Sequence, residues 1–346
     1  MPDGLIEVVS GGPGCTVQDA GRFGHRHEGV AQAGWLVPPW ADAANVLVGN
    51  PAGVAGLEWR GPGLVLQVVR GPVRVAVAGH VRVDVSRGEG PTRPLGAWRS
   101  GTLAEGDRLH LGAAVDGCAC LALGGGVQVP LVLGSRSTHV RTGFGGLDGR
   151  MLAPGDRLPC HSHLASGRGE RRSLSPLALP AGPIRVLWGP QDDHFTAQSR
   201  TRFLDTDWRV TAEQDRMGMR LAGPPLVHIG AAAADIVSDG AVPGAIQVPA
   251  NGLPVVLLAD GQTVGGYPKI ATVIRADLPR LALMPAGCHL RFEAVDAPTA
   301  RRALLAAQAQ WQAWSAALLS CKPEGWLDEA ALCTDNLVSG MLRAEF

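Results

Sequence analysis

Residues 64–85 read Leu-Val-Leu-Gln-Val-Val-Arg-Gly-Pro-Val-Arg-Val-Ala-Val-Ala-Gly-His-Val-Arg-Val-Asp-Val, and this stretch decides the fold class. Residues 73–77 and 81–85 alternate large apolar residues with polar or small ones, which is the period-2 pattern of a half-buried strand. Gly-Pro and Gly-His separate the runs, and turn residues recur about every 8–12 residues along the chain. The pattern predicts a mainly β protein, with minor α, built of barrels or sandwiches.

A short turn sequence occurs in both halves of the chain. Residues 103–109 read Leu-Ala-Glu-Gly-Asp-Arg-Leu, residues 152–158 repeat this with one change, and residues 284–290 give a looser third copy. Each copy has the composition of a tight turn that leads into a strand. We therefore expect two related β units, over residues 1–175 and 176–296, with a helix and tail over 297–346. The linker candidate is 159–183, which is rich in Ser, Gly, Pro and Arg.

Three segments have helical signals. Residues 38–48 begin with two prolines and end before Gly49, and residues 191–204 form a second candidate. A long helix is expected from Asp296 to about residue 319. It carries an apolar stripe at helical spacing, formed by Ala307, Trp311, Trp314 and Leu318. The stripe favours packing on the protein's own barrel, and subunit docking is the alternative.

Composition limits the class of protein. The 346 residues are 46% apolar, and 31 basic residues balance 31 acidic ones. A balanced charge argues against nucleic acid and against an anionic membrane surface as partners. The first residues have neither the basic nor the apolar region of a signal peptide. The seven cysteines have no framework spacing. We therefore expect reduced thiols and a cytoplasmic location.

Familiar cofactor motifs are weak. Residues 143–149 resemble a dinucleotide fingerprint, but their glycine spacing is wrong and no suitable helix follows. Cys160, His161 and His163 could ligate a metal, although a solvated loop is the favoured interpretation. Cys118 and Cys120 should share one face of a strand, and a core position is favoured over a thiolate metal pair. The sequence predicts no metal site.

The most informative block is 235–273, where polar residues stand at strand ends on glycine-rich turns. The chain has one tyrosine, Tyr267, and only two of its 31 basic residues are lysines, one of which is Lys269. Both fall in Gly-Gly-Tyr-Pro-Lys at 265–269. Rigid strands commonly hold functional groups on such loops. Two further polar clusters lie at 16–22 and 134–138.

These motifs identify a family. The chain resembles the family of the C subunit of bacterial 5-oxoprolinase, the carboxyltransferase domain of urea carboxylase (once called allophanate hydrolase subunit 2) and the antagonist of the sporulation kinase inhibitor. The resemblance rests on Thr-Val-Gln-Asp-Ala-Gly-Arg at 16–22, Gly-Ser-Arg-Ser-Thr at 134–138, Arg-Met-Gly-Met-Arg-Leu at 216–221 and above all on the block 235–273. It covers about residues 5–295. Two family side chains are lost: an aspartate at Val37 and an arginine at Gly261.

The resemblance implies a fold of two cyclophilin-like β-barrel units. It implies a component of an ATP-dependent 5-oxoprolinase, which opens 5-oxo-L-proline to L-glutamate and works only with sister subunits A and B. ATP would act through the complex, and a homo-oligomer is a further possibility. One alternative is a carboxyltransferase acting on urea or a related amide with biotin from a partner chain. The other is a regulatory protein that sequesters a kinase-inhibitor subunit.

Candidate roles follow from the shape of a lactam. Gln247 offers a donor and an acceptor to its C=O and N–H edge, and Tyr267 could donate to the carbonyl oxygen. Gly265 and Gly266 are expected beside the substrate. Either Lys269 or Arg136 would hold a carboxylate or phosphate. Either Asp239 or Asp260 would act as base or orient a neighbour.

Overall fold

Strands dominate the regular structure, as the period-2 pattern predicts. The computed structural model describes residues 2–161 and 169–321. In the first half the strands are β1 (Gly4–Ser10), β2 (Cys15–Gln18), β3 (Gly56–Gly61), β4 (Leu64–Arg70), β5 (Val73–Ala78), β6 (Val83–Arg87), β7 (Arg93–Pro94), β8 (Ser100–Leu103), β9 (Asp107–Leu111), β10 (Ala114–Leu123), β11 (Arg157–Cys160) and β12 (Glu170–Arg172).

The second half adds eleven strands within the described residues: β13 (Ile184–Trp188), β14 (Trp208–Gln214), β15 (Gly218–Ala222), β16 (Asp239–Gly240), β17 (Ala245–Gln247), β18 (Val255–Leu257), β19 (Val264–Gly265), β20 (Lys269–Val273), β21 (His289–Leu290), β22 (Phe292–Ala294) and β23 (Leu319–Cys321). The α-helices of the described residues are α1 (Pro38–Val48), α2 (Ala197–Asp205), α3 (Leu278–Leu281) and α4 (Ala297–Ala316).

The sheets divide into two groups along the chain. The first half forms a six-stranded sheet, β11-β1-β4-β9-β6-β7, and a five-stranded sheet, β2-β3-β10-β5-β8. The second half forms one eight-stranded sheet, β21-β14-β15-β18-β17-β20-β13-β22, which is nearly closed into a barrel. The mainly β class is confirmed. The boundaries at residues 175 and 296 stay a prediction.

The strand β5 is buried on both faces, which differs from the half-buried strand expected for 73–77. Val75 and Val77 belong to the core of the first unit. Ala76 and Ala78, on the opposite face, join a second core with α1 and the eight-stranded sheet. The alternation along β5 therefore places large residues on one face and alanines on the other. The small alanine side chains let α1 lie close to the second face.

The helix α1 has the predicted bounds, and Gly49 ends it with φ 92°. Val37 takes the N-cap position without a side-chain hydrogen bond. Its carbonyl accepts from the amides of Trp40 and Ala41, at 3.0 and 3.2 Å. Pro38 and Pro39 have no N–H groups. The first two residues of α1 therefore have no N–H group for an N-cap side chain to accept from. For this reason the apolar Val37 is tolerated at the position where the family has aspartate.

The other helices are shorter than expected. α2 begins at Ala197 rather than at residue 191, because Phe195 is extended and Thr196 caps the helix by accepting from Ser199 N at 3.1 Å. α4 ends at Ala316, and residues 319–321 form β23 against β12. The linker candidate 159–183 is therefore wrong as a plain connector, since its described part contains β12.

The stripe on α4 faces the protein's own core, as favoured. Trp311, Trp314 and Leu318 pack against the second core. The indole N–H of Trp314 donates to Ser175 O at 3.0 Å, and its ring meets Trp98 edge-on. Within 2–161 and 169–321, no helix combines the length and apolar character needed to span a membrane.

Candidate functional site

Two small β elements bring most of the predicted site together. β16 and β19 form a separate two-stranded ribbon, in which Asp239 lies opposite Gly265. In the eight-stranded sheet, Gln247 of β17 lies opposite Lys269 of β20, with a register shift just before Gln247. Residues 266–268 connect the ribbon to β20, so the predicted residues of 235–273 meet at one place, with the exception of Asp260.

The charged centre of this site is an ion pair. Lys269 Nζ lies 2.8 Å from Asp239 Oδ2. Gln191 joins the pair: its Nε2 donates to Asp239 Oδ2 at 3.3 Å, and its Oε1 accepts from Lys269 N at 3.2 Å. The hydrogen bond from Lys269 and the amide of Gly240 hold the pKa of the Asp239 carboxyl below its ordinary value. Asp239 therefore stays ionised at neutral pH.

The amide of Gln247 is only half satisfied. Its Oε1 accepts from Gln262 Nε2 at 3.0 Å, whereas its Nε2 is buried and has no hydrogen-bond partner among the described residues. A Cβ atom placed on Gly265 would fall on this Nε2. A buried donor without a partner costs about 1–3 kcal/mol. The absence of a side chain at Gly265 thus leaves room for the Gln247 side-chain amide, whose Nε2 has no acceptor among the described residues.

Tyr267 lies at the rim of the same site. Backbone hydrogen bonds fix the segment around it: Ile236 N donates to Gly266 O at 2.8 Å, and Val248 N donates to Pro268 O at 3.0 Å. The Tyr267 side chain is exposed, and its hydroxyl makes no hydrogen bond within the described part of the chain. The hydroxyl is therefore free to contact a ligand.

Asp260 belongs to a different cluster. Its two carboxylate oxygens each accept from Arg216 at 3.0 Å, through Nε and Nη2. Arg216 also donates to Glu58 Oε1 and, at 2.5 Å, to Gly34 O. Glu58 and Asp260 are both buried. This ion-pair cluster joins β3, the loop before α1 and the second barrel, so we regard it as structural support.

Burial sets the protonation balance of this cluster. Desolvation raises the pKa of the Glu58 carboxyl, and the Arg216 charge and the Leu36 amide oppose that rise. Burial alone would lower the pKa of Arg216, but the carboxylates of Glu58 and Asp260 outweigh it and raise that pKa. Sequence reasoning did not assign Glu58 or Arg216 to a cluster. The sequence did contain one signal: Glu58 stands between the apolar Leu57 and Trp59, where a buried charge would need a partner.

Gly261 follows Asp260 where the family has arginine. A Cβ atom there would lie 3.0 Å from Leu258 O and 3.1 Å from Met217 O. The backbone at this position therefore crowds any side chain, and glycine fits it.

Arg136 also lies apart from the Lys269 site. Its Nε donates to Val129 O at 2.9 Å and its Nη2 to Gln128 Oε1 at 3.1 Å. The neighbouring Ser135 and Ser137 both donate to Asp19 Oδ1 at 2.6 Å. The predicted clusters 16–22 and 134–138 thus come together, and their polar groups are used in holding each other.

Cys118 and Cys120 share a buried face of β10, as expected. Their thiols and a Glu58 oxygen all lie within 4.8 Å of one another. A hydrogen bond with Cys120 lowers the pKa of Cys118 and burial raises it, for a net rise, and burial raises the pKa of Cys120 well above the usual range. A metal needs thiolates, and Glu58 already pairs with Arg216, so these residues suit a core better than a metal centre. The other metal-site candidate was Cys160 with His161 and His163, and His163 lies outside the described residues.

A large cavity lies elsewhere. It has a volume of about 1020 Å³ and is lined mostly by apolar residues, among them Trp35, Pro38, Leu177, Leu278 and Trp311. None of the eight predicted site residues contributes to its described lining. The candidate site therefore lies outside the described lining of this cavity, with Tyr267 and Asp239 exposed and Gln247 and Lys269 buried.

Comparison with known proteins assigns the family. Residues 28–294 match the profile of the family described as the carboxyltransferase domain, subdomain A and B, and the chain belongs to that family. It is 35% identical over 295 residues to the C subunit of 5-oxoprolinase from Escherichia coli (strain K12), covering 83% of this chain and 90% of that protein. It is 29% identical over 307 residues to a putative urea carboxylase of Emericella nidulans, covering 84% of this chain and 24% of that protein.

Solved structures agree with this assignment. The crystal structure of TTHA0988 superposes with a TM-score of 0.72 at 33% identity, over 84% of this chain and 55% of that one. The crystal structure of the K. lactis urea amidolyase gives a TM-score of 0.79 at 26% identity, over 90% of this chain and 20% of that one. The chain thus spans about half of TTHA0988.

Proposed function

We propose that this chain is the C subunit of an ATP-dependent 5-oxoprolinase in the cytoplasm. The supporting comparison is the near full-length similarity to the C subunit of the E. coli 5-oxoprolinase, 90% of which is covered. The supporting structural observation is the half-satisfied Gln247 amide beside Gly265 and the Lys269–Asp239 pair. The reaction adds water across the lactam C–N bond and gives L-glutamate, with ATP consumed by the complex.

Each side chain of the site then has a role. Gln247 Nε2 supplies the unused donor for the lactam carbonyl once the Gly265–Gly266 turn admits the substrate. The Tyr267 hydroxyl donates to the same oxygen as negative charge develops on it. These two donors would stabilise the tetrahedral state that forms when water attacks the carbonyl carbon.

The two aspartates are not equivalent. A general base works best when its pKa lies near the operating pH. The lowered pKa of Asp239 makes it a weak base, so we assign it to holding Lys269 and Gln191 in place. Asp260, with both oxygens engaged by Arg216, supports the loop that carries Gln262.

The test is reconstitution with the partner subunits A and B, in which ATP-dependent glutamate release from 5-oxoproline is measured. The proposal predicts release only when all three chains and ATP are present. A stable complex that releases no glutamate would contradict it.

The second candidate is a carboxyltransferase that acts on urea, with biotin carried by another chain. The observation in its favour is the 29% identity to a putative urea carboxylase, which is weaker than the similarity to the oxoprolinase relatives. Urea consumption in the presence of a biotin carboxylase and a biotinylated carrier, without glutamate release from 5-oxoproline, would favour this function.

A further inference from the structure

Arg26 lies in a short 3-10 turn, Arg26–Glu28, and reaches across to the second barrel. Its Nη2 donates to Ala241 O and, at 3.3 Å, to Gln262 O. Both acceptors are backbone carbonyls next to the candidate site. Gln262 is also the residue whose side chain holds Gln247.

The charge of Arg26 has no counter-ion in the described part of the chain. Across residues 2–161 and 169–321, no carboxylate lies within ion-pair distance of its guanidinium, and Nη1 is buried without a hydrogen-bond partner. Burial lowers the pKa of Arg26, and no neighbouring carboxylate among these residues opposes that shift. Arg22 differs, because the charges of Asp19 and Asp260 oppose the effect of its burial on its pKa.

A desolvated arginine without a carboxylate is unfavourable unless an anion binds to it. Glu28, the nearest acidic residue in sequence, already accepts from His25 at 2.8 Å. Nη2 already donates to two carbonyls, so Nη1 is the group left to donate to a carboxylate, the natural partner of a guanidinium that lacks a counter-ion.

Arg26 and Lys269 lie at opposite ends of one short ribbon. Lys269 pairs with Asp239, which is opposite Gly265, whereas Arg26 bonds to Ala241, whose amide donates to Thr263 O at 2.8 Å. Gln262 connects the two groups, because its carbonyl accepts from Arg26 and its Nε2 donates to Gln247 Oε1. A small ligand could therefore place a carboxylate near Arg26 and an amide near Gln247.

We propose that Arg26 binds the carboxylate of the substrate and thereby selects a carboxylated lactam over an uncharged amide. This inference rests on the proposed function and refines it. Lys269 is already neutralised by Asp239, and Arg136 bonds to Val129 and Gln128. Arg26 also donates to neutral oxygens, but one of them belongs to Gln262, whose side chain holds Gln247, whereas Arg136 lies apart from that site. Arg26 is therefore better placed for this role than either residue expected from the sequence.

The test uses the assembled enzyme with Arg26→Gln and Arg26→Lys. The substrate is 5-oxoproline, and the competitive inhibitor is 2-pyrrolidone, the same lactam without its carboxylate. Arg202→Gln is the matched control, because Arg202 also donates to a backbone carbonyl, Pro225 O at 3.0 Å. Thermal unfolding and complex assembly are measured for every variant.

Loss of a charge-assisted contact should raise KM for 5-oxoproline about 10- to 100-fold in Arg26→Gln. The inhibition constant of 2-pyrrolidone should change less than about twofold, since it has no carboxylate to lose the contact. Arg26→Lys should show a smaller rise in KM for 5-oxoproline. If Arg26→Gln does not assemble, the same comparison of KM and inhibition constant is made with Arg26→Lys. Arg202→Gln should match the wild type.

An unchanged KM in Arg26→Gln would overturn the inference. So would a KM and an inhibition constant that rise together, because a purely structural effect weakens both ligands. If the wild-type complex releases no glutamate at all, it is the proposed function that fails.

Discussion

The ammonium of Lys269 lies 2.8 Å from the carboxylate of Asp239, and the two side chains differ in exposure: 4% for Lys269 and 53% for Asp239. The cation is therefore buried, and its only counter-ion within the described residues stands at the rim. A change at Asp239 leaves a buried charge unpaired, whereas a change at Lys269 leaves a solvated carboxylate. Substitutions at Asp239 and Lys269 should therefore have different effects on stability, and this difference can be measured.

The first prediction concerns pH. The folded pKa of Asp239 lies below its ordinary value of 3.8, so its ionisation stabilises the fold above that pH. The stabilisation is lost as the pH falls through the lower, folded pKa. Asp239→Asn should be less stable than the wild type at pH 7, and the difference should shrink below about pH 3.8. Urea unfolding from neutral pH down into the acid range measures this, and a pH-independent difference would contradict it.

The second prediction concerns the buried ion-pair cluster. Arg216→Met leaves the carboxylates of Glu58 and Asp260 without their shared cation. Breaking a buried pair from one side typically costs about 3–5 kcal/mol. The exposed pair Arg220–Glu213 provides the control, and Arg220→Met should cost at most about 1 kcal/mol. Equal unfolding free energies for the two variants would show that the cluster is not a structural support.

The third prediction concerns the glycine beside Gln247. Gly265→Ala places a methyl group on Gln247 Nε2 and must displace that amide. We expect about a 100-fold fall in activity of the assembled enzyme, the usual effect of losing one oriented donor, with the unfolding temperature little changed. Gly230→Ala is the control, because a Cβ atom there meets no atom within 4 Å. Full activity of Gly265→Ala would remove Gln247 from the site.

The fourth prediction concerns the start of α1. Val37→Asp restores the acidic residue of the family, yet the position is fully buried and the first amides already bond to the Val37 carbonyl. A buried polar group without a partner costs about 1–3 kcal/mol. The variant should therefore unfold at a lower temperature than the wild type, and Val37→Ile should lie closer to it. A rise in stability would show that the carboxylate finds a donor.

The sequence predicted local features well where the chain itself determines them. The alternation in 64–85 marked real strands, and the two prolines and Gly49 marked α1, because turn and cap chemistry depends on near neighbours. Part of the candidate site was also visible, since Asp239, Gln247, Gly265 and Lys269 all fall in one block of the sequence. Their proximity follows from the ribbon and its neighbouring sheet.

Long-range pairing could not be predicted in the same way. Asp260 looked like a candidate base, but it is held by Arg216, 44 residues away in the sequence. Arg216 also binds Glu58, which is 158 residues from Arg216. Arg136 looked available, but its Nε and Nη2 donate to Val129 O and Gln128 Oε1 in a neighbouring loop, away from Lys269. Arg26 gave no signal because its importance comes from the lack of a nearby carboxylate among the described residues, which only the folded arrangement reveals.

The most direct test of the central claim is the rate of glutamate release from 5-oxoproline by the assembled enzyme carrying Gln247→Ala. The parallel variant Tyr267→Phe removes the second proposed donor. Gln247→Ala is expected to lower the rate about 100-fold, the usual effect of losing one such donor, while assembly and unfolding temperature match the wild type. A wild-type rate in both intact variant complexes would contradict the site assignment.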